Sequence, residues 1–201
     1  MDENFWNERY KQVAYAYGQT ANAFVQEQLN TLPIGNLLFA CEGEGRNAVY
    51  AASKGHSVYA FDMSVEGKNK ALNLAQLHHV NIEFEVANAA NIEYPDSSFD
   101  AVFLIYAHLP SPIRQHLHHK ITQWLKPNGI VVLEAFQKAQ LGNPSGGPKD
   151  IDMLYSKSLL EQDFNGLKSI HNAYHQITLE EGPYHIGKAE VIRLIAQKTS
   201  L

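Results

Sequence analysis

Thiol chemistry is almost absent from this chain: Cys41 is the only cysteine in 201 residues. No disulfide can close within it, and no thiolate cluster can hold a metal. Long apolar runs are missing too, so nothing approaches the roughly 20 residues of a membrane-spanning helix. There is no basic run; 16 lysines and arginines face 21 acidic residues, leaving a net charge of −5. That balance argues against a groove that tracks nucleic-acid phosphates. The leading segment MDENFWNERY is too polar and acidic for a signal or transit peptide. Internal repeats and low-complexity tracts are also lacking. What remains is an ordinary globular mix, 45% hydrophobic and 18% charged, long enough for one full core. The expectation is a single cytoplasmic domain of enzyme size.

What is present centres on Leu37–Asn47, LLFACEGEGRN. An apolar run (Leu37 to Ala40) reads as a buried strand, Gly43 and Gly45 break it, and Asn47 to Lys54 can form a helix. A second apolar run, Ser57 to Phe61, ends on Asp62. Strand, glycine turn, helix, strand and acid make the first βαβ unit of a nucleotide- or nucleoside-binding sheet.

The residues around the turn bear on the ligand. Gly43, Gly45 and Ala48 fit a loose G-x-G-x-x-A spacing, which by itself is a weak signal. A dinucleotide would lay its diphosphate against the helix N-terminus. Glu42 and Glu44 flank the glycines with only Arg46 to offset them, and like charges at contact distance oppose an anion. A ligand with a sulfonium and an ammonium and no phosphate, S-adenosylmethionine, suits the turn better. Asp62 can take a ribose diol in either case.

Further along, residues 2–13 and about 20–30 read as helices, with Trp6, Tyr10 and Val13 on one stripe of the first. Ser64 is a plausible N-cap for Gly67 to Leu77. Strands are expected at Asn81 to Val86, Phe99 to Tyr106 and Ile130 to Phe136, with a helix at Ser111 to Leu125. Five strands alternating with helices predict an α/β, doubly wound, mainly parallel sheet. Residues 138–150 are rich in Gly and Pro, Asp152 to Phe164 is weakly helical, and His171 to Leu179 with Ala189 to Gln197 reads as a hairpin. So short a link makes that hairpin antiparallel. The division is a helical cap (1–35), a cofactor-binding core (36–137), and a lid loop with a C-terminal hairpin (138–201).

Four stretches together resemble the class I SAM-dependent methyltransferases, and within them the small tellurite-resistance and thiopurine methyltransferase-like group. They are FWNERY, CEGEGRNAVYAASKGHSVYAFDMS, NIEYPDSSFDAVF and LKPNGIVVLEAF. The resemblance implies a seven-stranded sheet whose last strand is antiparallel. It implies that Glu42, Gly43, Glu44 and Gly45 underlie the methionine part of SAM, with Arg46 and Asn47 opening the helix beside it. Asp62 would hold the ribose, Met63 the adenine face, and Asn88 with Ala89 the adenine amine. Ile105 and Tyr106 would line the methionine end. The family's usual acid in the first strand is Phe39 here, and its usual first glycine is Cys41.

Methyl transfer from a sulfonium is an in-line displacement that needs a base only when the acceptor is protonated. His108, just past the fourth strand, and His185, in the terminal turn, are the candidate bases. Tyr10, Tyr15 and Tyr17 could enclose the cation, whereas Trp6 reads better as an anchor for its helix. The 138–150 segment is placed to cover the acceptor. His116, His118 and His119 read as a solvated helix face, so no metal site is expected. AHLPSP after the fourth strand lacks the signature of amino-group DNA methyltransferases, which leaves a small-molecule acceptor. Two alternatives remain: an NAD-dependent oxidoreductase, and a non-catalytic SAM-binding protein.

Overall fold

A computed structural model describes residues 2–199. Its strands are β1 (Asn36–Ala40), β2 (Ser57–Asp62), β3 (Glu83–Val86), β4 (Phe99–Ile105), β5 (Leu125–Phe136), β6 (Lys168–Glu180) and β7 (Ile186–Gln197). They form one sheet in the order β3-β2-β1-β4-β5-β7-β6. The first five run parallel, and β7 lies antiparallel between β5 and β6. The doubly wound sheet with a reversed last strand is therefore as expected. The strand order turns back between β1 and β4, and open α/β sheets bind ligands at the carboxyl edge of such a switch point.

The central strands are unbroken apolar runs because helices cover both faces. On one face α5 (Ser111–Trp124) lays Leu117, Ile121 and Trp124 on Leu38, Val102 and Leu133. On the other, α2 (Ala23–Leu29), α3 (Arg46–Ser53) and α4 (Val65–Leu77) pack Phe24, Val49 and Leu74 on Phe39, Phe103 and Val132. Phe39 and Phe103 stack at 4.7 Å and are wholly buried. Burying such rings is worth roughly 1.5–3 kcal/mol each, so the residue standing in place of the family's acid is a packing residue. No helix among the described residues is long and apolar enough to cross a membrane.

Several boundaries shift for local reasons. Helix α1 (Glu3–Tyr10) stops before Val13, which is almost fully exposed rather than on a packed stripe. Asn22 starts α2 by accepting the amides of Phe24 and Val25, which excludes residues 20–22 from the helix. Ser64 caps α4 as expected, accepting from the Gly67 amide. Leu125 already pairs with Phe99, and Lys126–Gly129 bulges out before Ile130 pairs with Ala101, so β5 begins earlier than the apolar run. The largest departure is His118. It is fully buried, with Nδ1 2.9 Å from Asp163 at the end of α6 (Lys157–Asp163). Only His116 and His119 face outward. No sequence spacing pairs residues 118 and 163; packing of α5 on α6 does. No group of three metal-ligating side chains occurs among the described residues.

Candidate active site

The carboxyl ends of β1, β2 and β4 open into a cleft of about 420 Å³. Helix α1, the β6–β7 turn and residues 144–148 roof it. A cleft of that size holds a small molecule.

The floor is the glycine turn. Gly43 and Gly45 have φ of +64° and +86°. A Cβ on Gly43 would sit 2.6 Å from the Tyr10 hydroxyl, and one on Gly45 2.5 Å from the Cβ of Ala71. The glycines therefore serve the turn's conformation and its packing against Tyr10 and α4; the cleft wall itself is made by Cys41, Glu42, Glu44, Arg46 and Asn47. Burial pushes the Cys41 thiol far up, so it is no nucleophile at neutral pH.

The glutamates behave differently from one another. Glu42 Oε1 accepts the amides of Asn47 and Ala48 at 2.8 Å, while Oε2 accepts from Asn47 Nδ2. The carboxylate thus fills the anion site at the start of α3, where a diphosphate would have to lie. Burial raises its carboxyl to about 7, against the pull of those donors. Glu44 turns away: it pairs with Lys70 at 2.7 Å and accepts the Ala16 amide at 2.7 Å. Arg46 is tied to Glu181 at 2.9 Å and to the Tyr17 carbonyl at 3.0 Å. The picture of two bare glutamates beside one loose arginine is thus corrected. One carboxylate blocks the phosphate position, and the other is neutralised by a lysine brought in by α4.

Asp62 is buried at the end of β2, and burial raises its carboxyl to about 6. Its oxygens accept the amides of Gly43 (3.0 Å) and Ser64 (2.9 Å), one each, which leaves a lone pair on each oxygen. Met63, Ala87, Ala89 and Ile105 line the cleft beside it. Asn88 does not: it is exposed, and its side-chain oxygen accepts the Ala90 amide. Tyr10 is buried with no hydrogen-bond partner for its hydroxyl among the described residues, next to Gly43 and Asp62. Trp6, expected only to dock its helix, stacks on Tyr10 and lines the cleft. Tyr15 faces the core instead, donating to the Lys70 carbonyl.

Of the two histidines, His108 is fully engaged. Nδ1 donates to the Met153 carbonyl at 2.7 Å, and Nε2 accepts the Phe136 amide at 3.3 Å. Burial lowers its pKa to about 4. A base needs an open lone pair, and this ring offers none, so the structure makes it a strut between β5 and the 138–155 segment. His185 differs. Nδ1 lies 3.3 Å from Glu181 Oε2, Nε2 has no partner among the described residues, and the ring touches Tyr17 (4.5 Å) and Tyr106 (4.6 Å). Burial lowers its pKa, so the ring is neutral at pH 7. A carboxylate on Nδ1 fixes the tautomer that leaves the Nε2 lone pair open.

Glu181 was not legible as a site residue. It accepts from Arg46, His185 and Asn22 Nδ2, and although burial opposes ionisation, His185 and Arg46 hold it down to about 2. Asn22 Nδ2 also reaches Glu134 at 2.7 Å, and Glu134 accepts from Tyr106 and Arg193. Tyr106 is held at φ +55° at the end of β4, a left-handed conformation that is strained for an aromatic residue. The Glu181-x-x-x-His185 spacing is visible in the sequence, but nothing in it marks the pair as facing inward. The 144–148 segment is tied down rather than loose: Ser145 is buried and donates to the Lys188 carbonyl at 2.6 Å.

A family model described as a methyltransferase domain matches residues 37–129. The phosphoethanolamine N-methyltransferase 1 of Arabidopsis thaliana is 32% identical over 119 residues, 59% of this chain and 24% of that enzyme. The chain thus spans about a quarter of the length of the curated relatives it matches. Among solved structures, a protein of echinomycin biosynthesis that converts a disulfide bond into a thioacetal group superposes with a TM-score of 0.77 at 16% identity, covering 98% of this chain and 92% of that one. TehB from Haemophilus influenzae does so with a TM-score of 0.73 at 14% identity, over 98% of this chain and 67% of that one. With the domain match over the glycine turn and Asp62, and the reversed final strand, the chain belongs to the class I S-adenosylmethionine-dependent methyltransferases.

Proposed function

We propose that this protein transfers a methyl group from S-adenosylmethionine to a small acceptor whose nucleophile, an amine in the first instance, must shed a proton. The observation that carries the reading is the His185–Glu181 pair, with Nδ1 held and Nε2 open to the cleft. The residues present suit the cofactor. Asp62 has spare lone pairs for a diol, Tyr10 has a free hydroxyl, and Glu42 occupies the only place for a diphosphate. The last point disfavours an NAD-dependent oxidoreductase.

S-adenosylmethionine supplies an electrophilic methyl on a sulfonium. Glu42, Asp62, Met63 and Ala89 would hold it, with Ile105 and Tyr106 at its methionine end. His185 Nε2 would take the acceptor's proton, and Glu181 would stabilise the resulting imidazolium. Tyr17, Tyr106 and Phe136 surround His185 and keep water from it. A positioned base of this kind is worth about 10²–10⁴ in rate. That the plant relatives are named for methylating a nitrogen supports an amine over a thiol or an oxyanion.

Calorimetry with S-adenosylhomocysteine and NADH side by side is the first test, and only the former should bind. S-adenosylhomocysteine release on an amine, thiol and selenite panel follows. His185→Asn should cost at least 10²-fold in kcat with unchanged cofactor affinity. Full activity in that variant, or saturable NADH binding, would reject the reading.

A further inference from the structure

Arg9 is the one arginine or lysine lining the cleft without a carboxylate partner among the described residues. Its guanidinium lies over the Tyr184 ring at 3.9 Å and near Phe5 at 5.0 Å. One N–H, from NH1, goes to the Tyr17 hydroxyl at 3.2 Å. Stacking fixes the plane of an arginine and leaves its edge donors outward, in the fork that matches an oxyanion.

Two hydroxyls beside it are also unspent. Tyr17 accepts from Arg9, and Tyr184 accepts from Gln12 at 3.5 Å; neither donates to any group among the described residues. Three donor groups with no acceptor therefore meet at the rim, in a protein whose net charge is −5. Tyr17 links this cluster to the reaction side. Its hydroxyl touches Arg9, and its ring lies 4.5 Å from His185. The cluster and the base are thus about one tyrosine side chain apart.

From this we infer that Arg9, with the Tyr17 and Tyr184 hydroxyls, forms a binding site for an anionic group, a phosphate or a carboxylate, carried by the acceptor itself. The inference rests on the proposed methyl transfer for its acceptor, and it adds that the acceptor is a short molecule with an oxyanion at one end and the nucleophile at the other. Arg46, by contrast, is saturated by Glu181 and two backbone carbonyls and has no role there.

The test is a titration of the wild-type chain, saturated with S-adenosylhomocysteine, against inorganic phosphate. Matched pairs follow: phosphoethanolamine against ethanolamine, and β-alanine against ethylamine. Trp6 fluorescence is the readout, because the other tryptophan, Trp124, is sealed in the core. The anionic member of at least one pair should bind ten-fold or more tighter; which pair responds separates a phosphate from a carboxylate. Arg9→Met should erase that preference, Arg9→Lys should retain part of it, and Tyr184→Phe should weaken it. S-adenosylhomocysteine affinity should stay unchanged in all three. Equal binding within both pairs would overturn the site. So would an Arg9→Met variant that loses cofactor affinity while keeping the preference, since Arg9 would then serve the cofactor's own carboxylate. Failure of S-adenosylhomocysteine to bind the wild type would reject the methyl-transfer reading instead, and the phosphate titration on the cofactor-free chain would still decide the anion site.

Discussion

The Glu42 carboxylate caps α3 from outside the helix, its Oε1 lying 2.8 Å from the Asn47 amide. Gly45, the residue at the usual capping position, has no side chain to do so. Replacing a cap by alanine costs about 0.5–2 kcal/mol. Glu42→Ala should lower stability by that amount in urea denaturation. An unchanged midpoint would refute the capping role.

Asp62 joins the first two strands' loops through the amides of Gly43 and Ser64 and keeps acceptor capacity for a ribose. Loss of one charged hydrogen-bond partner costs about 1.5–3 kcal/mol, or roughly 10- to 150-fold in affinity. Asp62→Ala should weaken S-adenosylhomocysteine by that factor in calorimetry. Equal affinity in wild type and variant would remove Asp62 from the cofactor site.

Activity should have an acid limb set by His185. Burial depresses this pKa below the ordinary 6.5, so the neutral base persists below that value and is lost as the pH falls further. Glu181 opposes the depression, favouring the protonated ring. Glu181→Gln should therefore move the limb in kcat/KM to lower pH. A limb that stays put, or moves up, would contradict the pair.

Stability should follow Glu181 in the same acid range. Burial works against its ionised form, but His185 and Arg46 bring its pKa from the ordinary 4.5 down to about 2. The folded state therefore binds this proton more weakly than the unfolded chain. The stabilisation is complete above pH 4.5 and drains away as the pH falls toward 2. Denaturation midpoints of wild type and Glu181→Gln should converge across that window. A constant gap would show that Glu181 contributes no charge-dependent stability.

Gly182 meets the N-terminal segment at backbone distance. Its φ is +70°, and a Cβ there would lie 2.5 Å from the Gly18 nitrogen and 2.8 Å from the Ala16 carbonyl oxygen. Strain of this kind costs about 1–3 kcal/mol. Gly182→Ala should lower the thermal midpoint and raise the KM for the acceptor, because the β6–β7 turn carries Tyr184 and His185. A wild-type midpoint would mean that the two segments part freely.

Much of the fold was legible in order along the chain. The continuous apolar runs of β1 and β4, the glycine turn, Ser64 as a cap and the terminal hairpin are local patterns. Period and turn chemistry act over a few residues, so Gly43, Gly45 and Asp62 could be read as one unit. Phe39 also resolves this way: its place in a buried strand makes it a stacking partner for Phe103.

The sequence by itself determined the alternation of strands and helices, the acid at the end of β2 and the kind of ligand that a diphosphate-blocking turn admits. Only the tertiary structure decided which charges are spent. Lys70 quenches Glu44, Asp163 claims His118, backbone groups claim His108, and Asn22 bridges Glu134 and Glu181. The physical reason is range. Hydrophobic period is set by neighbours within a turn or a strand, whereas the partner of a buried charge is whatever the packed layers bring alongside it, and Asn22 meets Glu181 across 159 residues of chain.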